Sequence, residues 1–274
     1  MTLFRTVALP FALSASLLSA CFAQSGLTPT APETYAPSVG QSGKDVVWVP
    51  TPQALVDRML DMAGLTKDDY VIDLGSGDGR TVITAAKRGA RAKGLEYNPD
   101  MVTLSRRNAK EAGVTERASF ERADIFKSDF SQASLITLFL LPDLNIRLRP
   151  ILLGMRPGTR VVSNTFNMGD WVPDETIDAG GDCTSYCRAY KWIIPKRVGG
   201  DWRLGEGTLR LTQDYQMLTG TLLEGKTPLP VTEAKMNGAE ITFVAGGKRY
   251  AGRVEGSAIT GSIEGGGTWK AVRS

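Results

Sequence analysis

Residues 70–74, Tyr-Val-Ile-Asp-Leu, form a strand-length apolar run that leads directly into Gly75-Ser76-Gly77-Asp78-Gly79 and then into a helical pattern over 80–88. A buried strand, a glycine turn and a helix in immediate succession make half of a crossover unit, and the strand that completes it lies parallel to the first. The pattern repeats. Strand-like runs at 92–96, 118–122, 135–140 and 159–165 are interspersed with helical runs at 99–112 and 144–153. The expected class is α/β: a Rossmann-like, doubly wound, mostly parallel sheet with helices on both faces and a ligand crevice beyond the carboxyl ends of its strands.

The flanks read differently. Thr51 is placed as a helix N-cap with Pro52 at the first helical position, opening a helix through 63. Leu55, Val56, Met59, Leu60 and Met62 fall mainly on one face of it. After 198 the helical period disappears, and short alternating runs follow, split by Gly, Asn or Asp. These predict a small antiparallel all-β domain, a meander or barrel-like sheet. Trp202, Tyr215, Phe243, Tyr250 and Trp269 are expected to fill its core. The organisation expected is a signal segment at 1–23, a flexible Ser/Thr/Pro/Ala/Gly linker at 24–43, the α/β domain at 44–198 and the β domain at 199–274.

Composition narrows the function classes. The net charge of +3 is mild and dispersed, which argues against a nucleic-acid partner. The sequence has no histidine, so histidine acid–base catalysis, Ser-His-Asp triads and histidine-containing zinc sites are excluded, and no metal is expected. Arg5 precedes an apolar stretch over 7–18 and then small residues, the form of a secretory signal. Leu18-Ser19-Ala20-Cys21 resembles a lipobox, which would make Cys21 a lipid anchor and the sole link to a membrane; cleavage after Ala23 is the rival. The protein is therefore expected to be exported, periplasmic or lipid-anchored in a bacterial envelope. Cys183 and Cys187 remain, read either as a short-loop disulfide or as two free thiols. The oligomeric state is left open.

The glycine turn has two candidate ligands. A dinucleotide fingerprint would place a third glycine where Arg80 stands, so that reading fails. The actual spacing, Asp73 followed by Gly75, Gly77 and Gly79, resembles motif I of the class I S-adenosylmethionine-dependent methyltransferases. Glycines permit close backbone approach, and an acid at the strand end attracts the ammonium group of the methionine moiety. Glu96 ends the next strand, where a carboxylate can accept from both ribose hydroxyls. Asp124 follows the third strand; in that class an acid there accepts from the adenine amine, while the neighbouring N–H, here of Ile125, reads a ring nitrogen. Ser76 and Tyr97 complete the set expected to hold S-adenosyl-L-methionine.

The wider text, VPTP, DLGSGDGRTVITAAKRGA, GLEYNPDMVTLSRRNA and FERADIF, is similar to the protein-lysine methyltransferases typified by the mitochondrial enzyme acting on ATP synthase, over about 46–173. The resemblance implies N-methylation of a protein lysine, a methyl acceptor that a histidine-free chain can serve, because the leaving group arrives already activated. At the fourth strand end the chain reads LFLLPDLN and lacks the [D/N]-P-P-[Y/F] motif of many amino-methylating enzymes. Asp143 and Thr51 are the catalytic candidates, with Asn164, Phe166 and Trp171 as pocket walls. Two alternatives stay open: an exported binding protein that keeps the fold without turnover, and a small-molecule methyltransferase.

Overall fold

The computed structural model describes residues 1–3, 35–181 and 183–274. Residues 4–34 fall outside it, and with them the apolar signal stretch, the lipobox with Cys21 and most of the expected linker. Helix α1 spans Gln53–Met62, and β1 (Tyr70–Leu74), α2 (Arg80–Lys87), β2 (Arg91–Glu96), α3 (Pro99–Glu111) and β3 (Ala118–Arg122) follow. Then come β4 (Leu135–Leu138), α4 (Pro142–Leu152), β5 (Arg160–Asn164), β6 (Glu175–Asp178) and β7 (Arg188–Ile193). The strands form one seven-stranded sheet in the order β3-β2-β1-β4-β5-β7-β6. Five of them are parallel, and the hairpin β6/β7 adds antiparallel to β5. The strand order reverses between β1 and β4, which sets the ligand crevice there.

Local chemistry explains the helix starts. Asn98 caps α3, accepting from the Asp100 N–H at 2.8 Å, and Pro99 supplies a preset dihedral at the first position. Thr51 does not cap α1 as the sequence predicts. Its hydroxyl accepts from Asn164 Nδ2 at 3.1 Å, and its carbonyl accepts from Arg80 at 2.9 Å. A tertiary partner has taken the group that a local cap would use.

The remaining strands are β8 (Gly200–Leu204), β9 (Gly207–Asp214), β10 (Met217–Glu224), β11 (Thr227–Asn237), β12 (Glu240–Ala245), β13 (Lys248–Glu255), β14 (Ala258–Ile263) and β15 (Thr268–Arg273). They run antiparallel in sequence, and β15 pairs with β8 to close a barrel. The expected α/β sheet followed by an antiparallel β domain is thus borne out. Phe243 stacks on Tyr250 at 4.6 Å, and Trp269 meets both rings in T-shaped contacts. With Trp202 they fill the barrel.

Tyr215 is the exception among the expected core aromatics. It turns away from the barrel and stacks on Trp171 at 5.6 Å, while its hydroxyl donates to Asp170 at 3.1 Å. Trp171, expected in a pocket wall, is instead fully buried where sheet and barrel meet. Its indole N–H donates to Gln216 at 2.8 Å, and its carbonyl accepts from Trp192 at 2.8 Å. Sheet and barrel belong to one compact unit, Tyr35–Ser274. Replacing Trp171 with Ala removes a fully buried indole from this joint and leaves the Gln216 side-chain oxygen without its donor. We expect a loss of about 3–5 kcal/mol in denaturant unfolding.

Candidate cofactor site

Every cofactor residue expected from the sequence lines one cleft at the carboxyl ends of β1, β2 and β4. Asp73, one residue before the end of β1, is buried between β2 and β4. One carboxylate oxygen accepts from Thr137 of β4 at 2.6 Å. Burial pushes this acid up to about 7, opposed by the Thr137 hydrogen bond and reinforced by the nearby charges of Glu96 and Asp78. A buried carboxylate so placed favours a cation.

The glycine turn gives way to that cation's neighbours. Gly77 lies at φ +51°, and a Cβ there would stand 2.6 Å from the Trp48 indole nitrogen. Gly79 lies at φ +84°, where a Cβ would collide with Phe120 and Ser105. Both positions require glycine, for conformation and for space. Between them and the strand, the buried Ser76 hydroxyl has no hydrogen-bond partner among the described residues. That hydroxyl packs over Gly94 of β2, where a Cβ would stand 2.4 Å from it, so the strand needs a glycine there as well.

Glu96 closes β2 with both oxygens fixed. One accepts from the Gly77 N–H and the other from the Asn98 N–H, each at 2.9 Å. The carboxylate is thereby aimed, and each oxygen keeps a lone pair for a diol. Asp124, past β3, accepts from the Phe126 N–H at 3.0 Å and from Lys44 at 3.1 Å, and these bonds hold it below the usual carboxylate range. Lys44 also sits 5.1 Å over the exposed ring of Tyr97. Ile125 is half-buried on the same wall.

The sequence reading missed the lid. Residues 35–43, assigned there to a flexible linker, are folded: Trp48 donates to the Gln41 carbonyl at 2.9 Å, and Gly40 donates to the Trp48 carbonyl at 2.8 Å. This strap lays Gln41, Lys44, Asp45 and Trp48 along the cleft. The isolated apolar run around Trp48 was the available signal, since an indole in a true linker would have nothing to pack on. Of the catalytic candidates, Thr51 lines the cleft, whereas Asp143 does not. Asp143 is exposed on the first turn of α4, where its charge favours the helix N-terminus.

Asp73 carries a stability signature. Its native form binds a proton more tightly than an unfolded carboxylate does, so this contribution is present in acid and is lost as pH rises through about 7. The ligand-free protein should therefore lose stability between about pH 4 and about pH 7 by on the order of a few kcal/mol, and Asp73→Asn should flatten that slope in denaturant melts.

A family model described as ANTKMT methyltransferase domain matches residues 73–175, which contain all three acids. The protein-lysine N-methyltransferase of Saccharolobus islandicus (strain REY15A) is 44% identical over 135 residues, 48% of this chain and 84% of that protein. An ATP synthase lysine N-methyltransferase of Mus musculus is 42% identical over 41% of this chain, which spans about half (46%) of that relative's length. Among solved structures, an RNA methyltransferase from Salinibacter ruber in complex with S-adenosyl-L-homocysteine shares 48% identity with a TM-score of 0.51, over 55% of this chain and 96% of that one. The identities, the sheet order and the three acids around one cleft agree: the chain belongs to the class I S-adenosylmethionine-dependent methyltransferases, in the family of the Saccharolobus protein-lysine N-methyltransferase.

Proposed function

We propose that this methyltransferase acts on the side-chain amine of a lysine in a protein. The observation that carries the reading is the match to the Saccharolobus protein-lysine enzyme over 84% of its length. When bound, S-adenosylmethionine supplies a methyl group on a sulfonium, ready for in-line displacement. The chain's own residues bind and orient. Asp73 takes the ammonium of the methionine part, Glu96 the ribose hydroxyls, and Asp124 with Ile125 the adenine edge. Ser76 and the Gly75–Gly79 turn meet the cofactor through hydroxyl and backbone. The strap with Trp48 keeps water from the reacting atoms. Thr51, tied to Asn164, fixes the floor of the cleft. An acceptor amine must lose its proton before attack, and an apolar surrounding promotes that loss without a histidine.

The name of the Salinibacter relative raises RNA as the rival acceptor. Transfer of tritium from labelled S-adenosylmethionine into a cell extract separates the two. Protease-sensitive label recovered as methyl-lysine supports the proposal, and nuclease-sensitive label overturns it. In calorimetry, Glu96→Ala should weaken S-adenosylmethionine binding by roughly ten- to a hundredfold, the loss expected for hydrogen bonds to a charged acceptor.

Export is the second part of this reading. The signal-like residues 1–23 motivate it, and the disulfide between Cys183 and Cys187 supports it, because such bonds persist in oxidising compartments. On fractionation, the wild type should follow the envelope membranes and a Cys21→Ser variant should not. Recovery of both in the cytosol would reject export.

A further inference from the structure

A second recess adjoins the cofactor cleft beyond the carboxyl ends of β4 and β5, and Phe139 lines both. Phe166 and Tyr186 supply its other rings. Phe139 stacks on Phe166 with centroids 6.1 Å apart and meets Tyr186 in a T-shaped contact at 5.1 Å. The aliphatic side chains of Val46, Val49 and Leu141 also line the recess. The charged lining is Lys44 and Asp45, which pair with each other at 3.3 Å. Lys44 is further engaged by Asp124, so the recess offers an incoming cation rings rather than net charge.

Tyr186 belongs to the loop between Cys183 and Cys187, whose disulfide holds Cα atoms 5.8 Å apart. The tyrosine has φ +55°, and Thr165, immediately before Phe166, has φ +59°. Left-handed backbone is unfavourable for both residue types. Each strained residue brings an aromatic ring to the same recess, and strain of this kind persists where the surroundings enforce it, commonly at ligand sites.

We infer that Phe139, Phe166 and Tyr186 form the recess that takes the acceptor's alkylammonium group, and that the Cys183–Cys187 disulfide is the device that holds Tyr186 in it. The inference rests on the lysine reading above. Ring faces attract an ammonium, and the aliphatic walls accept the four-carbon stem of a lysine. Phe139, common to both cavities, places the amine against the methyl donor. Tyr186 is a positioning residue for the acceptor and does not line the cofactor cleft. The loop thus lends the acceptor site a wall that neither β4 nor β5 provides.

The test uses a nitrogen-for-sulfur analogue of S-adenosylhomocysteine that carries a 2-(butylamino)ethyl arm, which presents an ammonium near the donor position and a four-carbon stem beyond it, against the same analogue carrying only a methyl group. In calorimetry with the oxidised wild-type protein, the arm should tighten binding by roughly tenfold or more. Tyr186→Ala, and the double variant Cys183→Ser with Cys187→Ser, should each lose most of that gain. Tyr186→Phe should keep it, and all variants should bind S-adenosylhomocysteine within about twofold of wild type. An arm that adds nothing in wild type, or a gain untouched by Tyr186→Ala, overturns the recess. A gain kept by the double-serine variant overturns the role of the disulfide. Failure of the lysine reading shows separately, as label in nucleic acid.

Discussion

A carboxylate buried at the end of the central strand sets the terms for everything around it. Asp73 sits between two parallel neighbours with one hydroxyl partner and two further acids near by. Such a group is unfavourable in the empty protein and becomes favourable once a cation enters. The glycines of the turn and the aimed carboxylate of Glu96 are arranged about the same cleft. They make a surface incomplete without a ligand. The strap closes over it, and of the three cofactor acids its Lys44 pairs with the far one, Asp124, leaving Asp73 for the cofactor.

The structure separates cofactor capture from acceptor capture. Strands β1 to β3 present the acids, whereas the rings past β4 and β5 and the disulfide loop surround the adjoining recess. The boundary runs through Phe139. Such a division lets one half of the site stay fixed while the other varies between enzymes with different acceptors. The family match ends at 175, before the disulfide loop begins. Tyr186 therefore lies in sequence that the shared domain does not define.

Much of this was legible in the chain. Periodicity located the five parallel strands and the helices of the sheet, because each buries an apolar run, an alternating face or a helical stripe. The three acids were legible because spacing along crossover units translates directly into position at strand ends. Long-range competition hid the rest. Thr51 has the local signature of a cap, yet Asn164, 113 residues away, claims its hydroxyl. Trp171 and Tyr215 look like pocket and barrel aromatics, but they stack on each other, and their polar groups bond Gln216 and Asp170, partners far away in sequence or in the other part of the fold. Strand β11 carries Pro228 and Pro230, which argue against a strand in isolation; in the barrel they pair with Leu223 and Thr221 of β10. The strap has no periodicity at all, since backbone bonds to itself and contact with the turn hold it in place.

Barrel closure has a consequence for how this chain survives outside its folded context. An open sheet ends in unpaired N–H and C=O groups that can recruit another chain. The two terminal strands of the seven-stranded sheet, β3 and β6, are short and carry exposed charges, Glu121 and Arg122 on one, Glu175 and Asp178 on the other. The C-terminal strands add far more β-structure than these, yet β15 returns to β8 and leaves no free rim. A sequence of eight consecutive hairpin-linked strands would otherwise be a template for aggregation. Closing the ring removes that hazard without spending charged residues on it.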